Sequence, residues 1–364
     1  MERRKFIKAG SAALLGSLAC AKSDLFNQDI RPGHIPRWRG FNLTEKFSPN
    51  NNRPFLESDF ALVKELGFNF VRLPMSYWCW SSPTDWYSVD ELVLKEIDQA
   101  IEWGKEYGIH VNLNFHRIPG YCVNGREKEP ADLFRGPSEE KQKALDAACY
   151  HWELFAERYK DIPNRNLSFD LMNEPPWMDD EAPYVTVVRT LVETIREQDP
   201  NRLIFADGIN IGQTPVFGIA DLGLVQSTRG YLPKAVSHYQ AGWVPQNEFE
   251  TFNQPTWPLT DDKGIVWNRE YLKQVLIDPW KKLESKGVSV HVGEWGAFTQ
   301  TPHGVVLAWM EDLLSLWKEA GWGWAMWNLR GSFGILNSNR SDVVYESFQN
   351  DKLDRKMLEL LQQY

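Results

Sequence analysis

Two glutamates each close an apolar run. Leu167–Leu171 leads into Met172-Asn173-Glu174-Pro175, and Val288–Gly293 leads into Glu294-Trp295-Gly296. A lone Asn-Glu at a turn is usually solvated or caps a helix. Two such glutamates, 120 residues apart and both ending apolar segments, can face each other across one cavity. Facing carboxyls are what hydrolysis of a glycosidic bond requires. One donates a proton to the leaving oxygen, and the other is nucleophile or base. Their surroundings must differ so that one stays protonated near neutral pH. Other chemistries are poorly served. The chain has no Gly-x-Ser-x-Gly elbow, no His-Glu-x-x-His and no phosphate loop. The adjacency of Ser237 and His238 makes no triad. A metal site from His116, His238 and a glutamate is the weaker alternative, and neither metal nor cofactor is expected.

The positioning elements follow from hydrophobic patterning. Short apolar runs alternate with longer amphipathic ones, the pattern of a parallel α/β fold. The expected strands are Trp38–Leu43, Asn69–Leu73, Ile109–Phe115, Leu167–Leu171, Leu203–Ala206, Ala235–Tyr239, Val288–Gly293 and Trp322–Trp327. The expected helices are Ser58–Leu66 (capped by Ser58), Asp90–Tyr107, Ser138–Tyr159, Pro183–Gln198, Arg269–Lys286, Gly304–Ala320 and Lys352–Leu361. The connection from Asp207 to Leu224 is weakly patterned. Eight units without repeat or linker make a single (β/α)8 TIM barrel over residues 37–364. A doubly wound sheet would want a Gly-rich turn after the first strand, where Phe41-Asn42-Leu43-Thr44 stands. Barrel sites lie at the C-terminal strand ends. There the sequence places Arg72, His116, Asn173 with Glu174, His238 with Tyr239, Glu294, and Trp327 with Asn328.

The net charge of −9 argues against nucleic acid and anionic membrane as partners. Residues 1–20 read as an export signal: Arg3, Arg4, Lys5 and Lys8 against Glu2, then a short apolar stretch, then Cys20. The Arg3-Arg4 pair is of twin-arginine type. Ser17-Leu18-Ala19-Cys20 partly matches a lipoprotein cleavage box, which leaves a lipid anchor at Cys20 open. Removing residues 1–19, net +3, would leave −9 − 3 = −12. Residues 21–36 read as a linker. No later segment is apolar enough to span a bilayer. Cys79, Cys122 and Cys149 read as buried thiols, with one candidate Cys79–Cys122 bridge. The 17 Trp divide between core and rim loops, where Trp78, Trp80, Trp86, Trp177, Trp243, Trp257, Trp267 and Trp295 suit a polysaccharide cleft.

From Arg39-Gly40-Phe41-Asn42 through Gly331-Ser332-Phe333-Gly334 to Leu353-Asp354-Arg355, the chain resembles glycoside hydrolase family 5, the cellulase and mannanase family of retaining barrel enzymes. The resemblance implies Glu174 as acid/base and Glu294 as nucleophile. It implies Arg72 as the cation orienting Glu294, Asn173 as the amide on the sugar 2-OH, and His116 at the −1 sugar. It places His238 near the acid/base and makes Trp327 the floor under the −1 sugar, with a cis bond to Asn328. The family usually reads His-x-Tyr at strand six, and this chain reads His238-Tyr239-Gln240. Either Tyr239 serves beside the nucleophile, or Gln240 stands there and the tyrosine is lost. The implied activity is a retaining β-glycosidase, foremost an endo-β-1,4-glucanase. The same chemistry on β-mannan, xyloglucan or, exo-acting, β-1,3-glucan is the alternative. A monomer is expected. A different class, a barrel that only binds glycans, is disfavoured by both glutamates standing with Arg72 and Asn173.

Overall fold

The computed structural model describes residues 30–244 and 254–364. Eight parallel strands close into a barrel: β1 (Arg39–Asn42), β2 (Phe70–Ser76), β3 (His110–Ile118), β4 (Leu167–Asp170), β5 (Ile204–Asp207), β6 (Val225–Gly230), β7 (Ser289–Trp295) and β8 (Gly323–Met326). Each pairs with the next in chain order. β8 returns to β1 through Arg39↔Trp324, Gly40↔Ala325 and Phe41↔Met326. The expected single (β/α)8 barrel is therefore the fold.

The main helices are α1 (Glu57–Glu65), α2 (Glu91–Tyr107), α3 (Ser138–Tyr159), α4 (Ala182–Gln198), α5 (Asp278–Glu284), α6 (His303–Ala320) and α7 (Arg355–Gln363). α2 shows how local sequence sets an element. The Asp90 carboxylate accepts the Leu92 N–H at its start, and Gly108 ends it at φ 67°. Val93, Leu94, Ile97, Ala100 and Ile101 bury one stripe against the barrel. α1 begins one residue before Ser58, on Leu56, so Ser58 is not its cap. The helix expected over 269–286 passes through a π turn at Lys273–Ile277, and Pro279 lies in the first turn of α5.

The main departure is the sixth unit. Ala235–Tyr239 is not a strand; Lys234–Ser237 is one helical turn, and β6 lies earlier. Hydrophobic periodicity misses Val225–Gly230 because its buried side chains are polar and satisfied by hydrogen bonds. The Gln226 amide donates to Val216 O (2.6 Å) and accepts the Val216 N–H (2.9 Å). Thr228 Oγ1 donates to Gly212 O at 3.2 Å.

Ile30 and Ile35, in the stretch read as linker, pack under the barrel with Trp38, Phe70, Leu203 and Phe205. Nine of the 17 Trp are buried. Trp80 and Trp295, expected on the rim, are among them; Trp295 meets Trp317 and Trp324 edge to face. Cys79, Cys122 and Cys149 are free thiols, and the Cys79–Cys122 bridge does not form. Instead Cys79 donates to Lys46 O (3.3 Å) and Cys122 to Asn124 O (2.7 Å). Among the described residues no helix is long and apolar enough to cross a membrane. Residues 1–20, read above as an export signal, and with them Cys20, lie outside the described residues.

Candidate active site

Two strand irregularities aim side chains into the mouth. Between β6 and β7 the register slips from Val292↔Thr228 to Glu294↔Arg229, leaving Gly293 as the extra residue. Between β2 and β3 it slips from Met75↔Phe115 to Ser76↔Arg117, leaving His116. Such bulges re-aim neighbouring side chains. Gly293 is also a steric requirement. A Cβ there would lie 2.4 Å from Ser227 Oγ and 2.8 Å from Arg229 Nη1. Its absence makes the space that the Arg229 guanidinium occupies.

Arg72, from β2, is fully engaged. Its Nε donates to Asp170 Oδ2 (2.8 Å), Nη1 to Asn42 Oδ1 (3.0 Å) and Glu294 Oε1 (2.5 Å), and Nη2 to Asn173 Oδ1 (2.9 Å). Asn42 is fixed in turn, its amide donating to Gly293 O at 3.1 Å. Arg229, from β6, faces it. Arg229 Nε donates to Glu174 Oε1 (3.1 Å) and Nη2 to Asn173 Oδ1 (2.8 Å). Its Nη1 donates to Asp207 Oδ1 at 3.0 Å, and Nη2 also pairs with Asp207 Oδ2 and stands 3.6 Å from Glu294 Oε1. Asn173 Oδ1 thus accepts from both guanidinia. That fixes its amide orientation and points Nδ2 toward His116 Nε2 at 3.4 Å. Tyr231, just beyond β6, donates to Glu294 Oε2 at 3.2 Å.

Glu174 is held by its backbone. It adopts φ 49°, its N–H donates to Asp207 Oδ2 (2.8 Å), and its carbonyl accepts the Tyr121 hydroxyl (2.6 Å). Positive φ in a non-glycine residue is uncommon and needs such support. Burial, followed by the nearby Glu294 charge, pushes the Glu174 carboxyl up to about 7, against the opposing pull of Arg229. Burial also raises Asp170 to about 7, although Arg72 pairs one of its oxygens. Burial, with Glu294 and Glu174 beside it, holds the Tyr231 hydroxyl protonated, so it acts as a donor. Burial, followed by the nearby charges of Arg117, Arg72 and Arg229, pushes the His116 imidazole well below its ordinary range. Its ring stacks on Trp327 at 5.6 Å and meets Phe47 at 4.7 Å. The Trp327–Asn328 peptide is cis. Gly296, at φ 138°, lets the loop after β7 approach Trp327: a Cβ there would sit 2.7 Å from Trp327 O. A carboxyl raised by burial and a second one paired with a guanidinium, in one cavity, can perform acid-assisted displacement at an acetal carbon.

The structure thus brings together Arg72, His116, Asn173, Glu174, Glu294 and Trp327. Two residues fall elsewhere. Tyr239 does not reach Glu294; its hydroxyl accepts from Gln240 Nε2 at 3.1 Å, and Tyr231 stands at the carboxylate. His238 is no strand-end residue but follows the turn Lys234–Ser237, where its Nδ1 lies 2.8 Å from Ser237 Oγ and its ring meets Tyr231 and Phe333. Both errors come from the misplaced sixth strand. With β6 at Val225–Gly230, the strand end reads Arg229-Gly230-Tyr231, an arginine where the family usually has histidine. Asn42, Asp170, Asp207, Arg229 and Tyr231 were missed. The polar termini Phe169-Asp170 and Ala206-Asp207 were the available signal for two of them.

Two consequences can be measured. Arg72→Met would leave Asp170 without its cation and Glu294 with only the longer contact to Arg229, at a cost of about 3–5 kcal/mol. Arg72→Lys keeps charge but cannot span four acceptors. It should fold and lose about 100-fold in kcat, the usual effect of an ångström-scale misplacement. Stability should also fall with acid. Burial pushes His110 and His291 down to about 3 and His151 to about 4, and keeps His116 neutral as well. Below an unfolded value of about 6.5, the unfolded chain takes up these protons and the folded chain does not. Asp170 and Glu174 work oppositely, holding protons in the fold between about 7 and 4. Glu45 and Glu129, also raised by burial, add to the carboxyl side, and the four histidines set the net direction. Chemical denaturation should show a loss on the order of 1–3 kcal/mol from pH 6.5 to 5, and a rising profile would contradict this balance.

A closed α/β barrel carrying two carboxyls in unlike surroundings at its C-terminal mouth defines a barrel glycoside hydrolase. The chain belongs to glycosyl hydrolase family 5, the cellulase family, whose model matches residues 27–332. It is 38% identical to a solved structure described as a glycoside hydrolase, with a TM-score of 0.84, covering 90% of this chain and 99% of that one. It is similar to Endoglucanase C of Acetivibrio thermocellus, 26% identical over 312 residues, 80% of this chain and 88% of the relative. A shorter likeness links it to Glucan 1,3-beta-glucosidase 2 of Saccharomyces cerevisiae, 34% identical over 94 residues, 22% of this chain and 17% of the relative.

Proposed function

We propose that this enzyme is a retaining endo-β-1,4-glucanase in which Glu174 is the acid/base and Glu294 the nucleophile. The observation that carries the reading is the unlike setting of the two carboxyls: Glu294 pairs with Arg72 and Tyr231, while burial keeps Glu174 able to hold a proton. Glu294 attacks the anomeric carbon, the glycosidic C–O bond breaks, and the leaving oxygen takes the Glu174 proton. A water then attacks the same carbon and gives its proton to Glu174, and the bond to Glu294 breaks. Asn173 Nδ2 and His116 face the sugar, and Trp327 supplies an apolar floor.

The likeness to Endoglucanase C over most of both chains supports β-1,4-glucan as substrate. The likeness to a glucan 1,3-beta-glucosidase is confined to a small part of the chain and supports the exo-β-1,3 alternative less. Carboxymethylcellulose should be cut internally with a rapid fall in viscosity, Glu294→Gln should be inactive, and chelator should change nothing. Cleavage of laminarin, glucomannan or xyloglucan alone would overturn the substrate assignment. Absence of turnover on every β-glycan would favour a binding barrel. Trp177 and Trp243, 62% and 58% exposed in the loops after β4 and β6, are proposed as sugar platforms. Trp177→Ala should raise KM on polymer up to about tenfold, the worth of one aromatic contact, with kcat on small aryl glycosides unchanged.

Export is part of the proposal, supported by the Arg3-Arg4 signal-like sequence. A monomer is also part of the proposal, to be checked by the mass in solution.

A further inference from the structure

Among the described residues, Arg229 is the one buried cation that touches both glutamates. It lies 3.1 Å from Glu174 Oε1 and 3.6 Å from Glu294 Oε1. Its other donors are spent on Asp207 and Asn173, so it cannot swing away. Resting on the retaining reading above, the chemistry moves one negative charge across this guanidinium. Before the first step Glu294 is ionised and Glu174 holds the proton. After it, Glu294 is an ester, Glu174 is a carboxylate, and the site has the same total charge. Arg72 touches Glu294 but not Glu174, so it serves only the first of these states. Arg229 serves both. A neutral side chain at this position would leave the Glu174 carboxylate of the intermediate without a cation in contact.

We propose that Arg229 is a positioning residue that turns Glu174 from acid into base, by pairing with its carboxylate once Glu294 is glycosylated. The other groups around Glu174 do not supply this. Asp207, at the end of β5, opposes a second anion. His116 of β3 is neutral. Tyr231 donates to Glu294, Tyr121 to the Glu174 carbonyl, and Tyr184 of α4 to Asp207 O. The sequence built room for this cation: Gly293, immediately before Glu294, is where any Cβ would strike Arg229 Nη1.

The test uses the full enzyme and 2,4-dinitrophenyl 2-deoxy-2-fluoro-β-cellobioside. Its leaving group needs no proton, and its glycosyl-enzyme reactivates slowly enough to follow. Reactivation by water requires Glu174 as base, so its rate falls on the acid side of a limb. In Arg229→Met and Arg229→Gln that limb should move up by about one pH unit or more, the usual effect of losing a contacting cation. Formation of the intermediate, followed alongside, should also slow, because Arg229 fixes Asn173 and stands near Glu294; the reactivation limb is the readout. Arg229→Lys keeps a cation on Asp207 but cannot also reach Glu174, and its limb should rise by about half a unit. It also covers the case in which the neutral variants leave Asp207 unpaired and do not fold. An unmoved limb in every variant that folds would overturn the proposal and make Arg229 a structural ion pair. Failure of the wild-type enzyme to form any glycosyl-enzyme is a separate result and would overturn the retaining reading instead.

Discussion

Glu294→Gly should lose about 10⁴-fold or more in kcat, the scale seen when a covalent nucleophile is removed. Added azide should restore turnover by forming an α-glycosyl azide. The expectation follows from the site's charges. Arg72 and Tyr231 aim at the two oxygens of Glu294, and the bulge at Gly293 turns the side chain inward. Removing it leaves Arg72 paired with Asp170, so the fold should hold. It leaves a gap on the α face of the sugar that a small anion can fill beside the two guanidinia. The change should also reach Glu174. The Glu294 charge is the second contributor to its raised value, after burial. Direct titration of Glu174 in Glu294→Gln should therefore give a value below that of wild type. Azide rescue yielding a β-azide, or full activity without Glu294, would remove it from the nucleophile's role.

Glu174→Ala should separate leaving groups. A proton donor contributes about 10²–10⁴-fold when the leaving oxygen is basic. On cellulose or an alkyl glycoside kcat/KM should fall by that amount. On a dinitrophenyl glycoside the first step needs no proton and should run close to the wild-type rate, leaving the second step limiting. The alkaline limb of the wild-type profile, set by Glu174 near 7, should vanish in the variant. Equal losses on both substrates would mean that Glu174 holds the site together rather than moving a proton. That alternative has a physical basis, since the Glu174 backbone ties Asp207 and Tyr121 to the loop after β4.

Much of this site is legible in sequence because barrel geometry turns chain position into spatial position. Arg72 and Glu294 lie within largely apolar strands and Asn173 just beyond one, so period and fold alone send them toward the mouth. β6 was not legible for the converse reason. Gln226, Thr228 and Arg229 are buried but polar, and their burial depends on partners up to 56 residues away. Periodicity records apolarity and is blind to satisfied polarity, so it chose the more apolar segment nearby. That slip carried the tyrosine assignment to Tyr239 and hid Arg229. Asp170 and Asp207 were visible as strand-final acids. Only the structure shows that they are the counter-charges of two buried arginines.

The most direct measurement is identification of the labelled residue after trapping with the 2-fluoro-cellobioside. Proteolysis and mass spectrometry should place one fluoroglycosyl group on Glu294, in the peptide containing Gly293-Glu294-Trp295-Gly296. A label on Glu174 or any other side chain, or turnover of the reagent with no covalent species, would contradict the account.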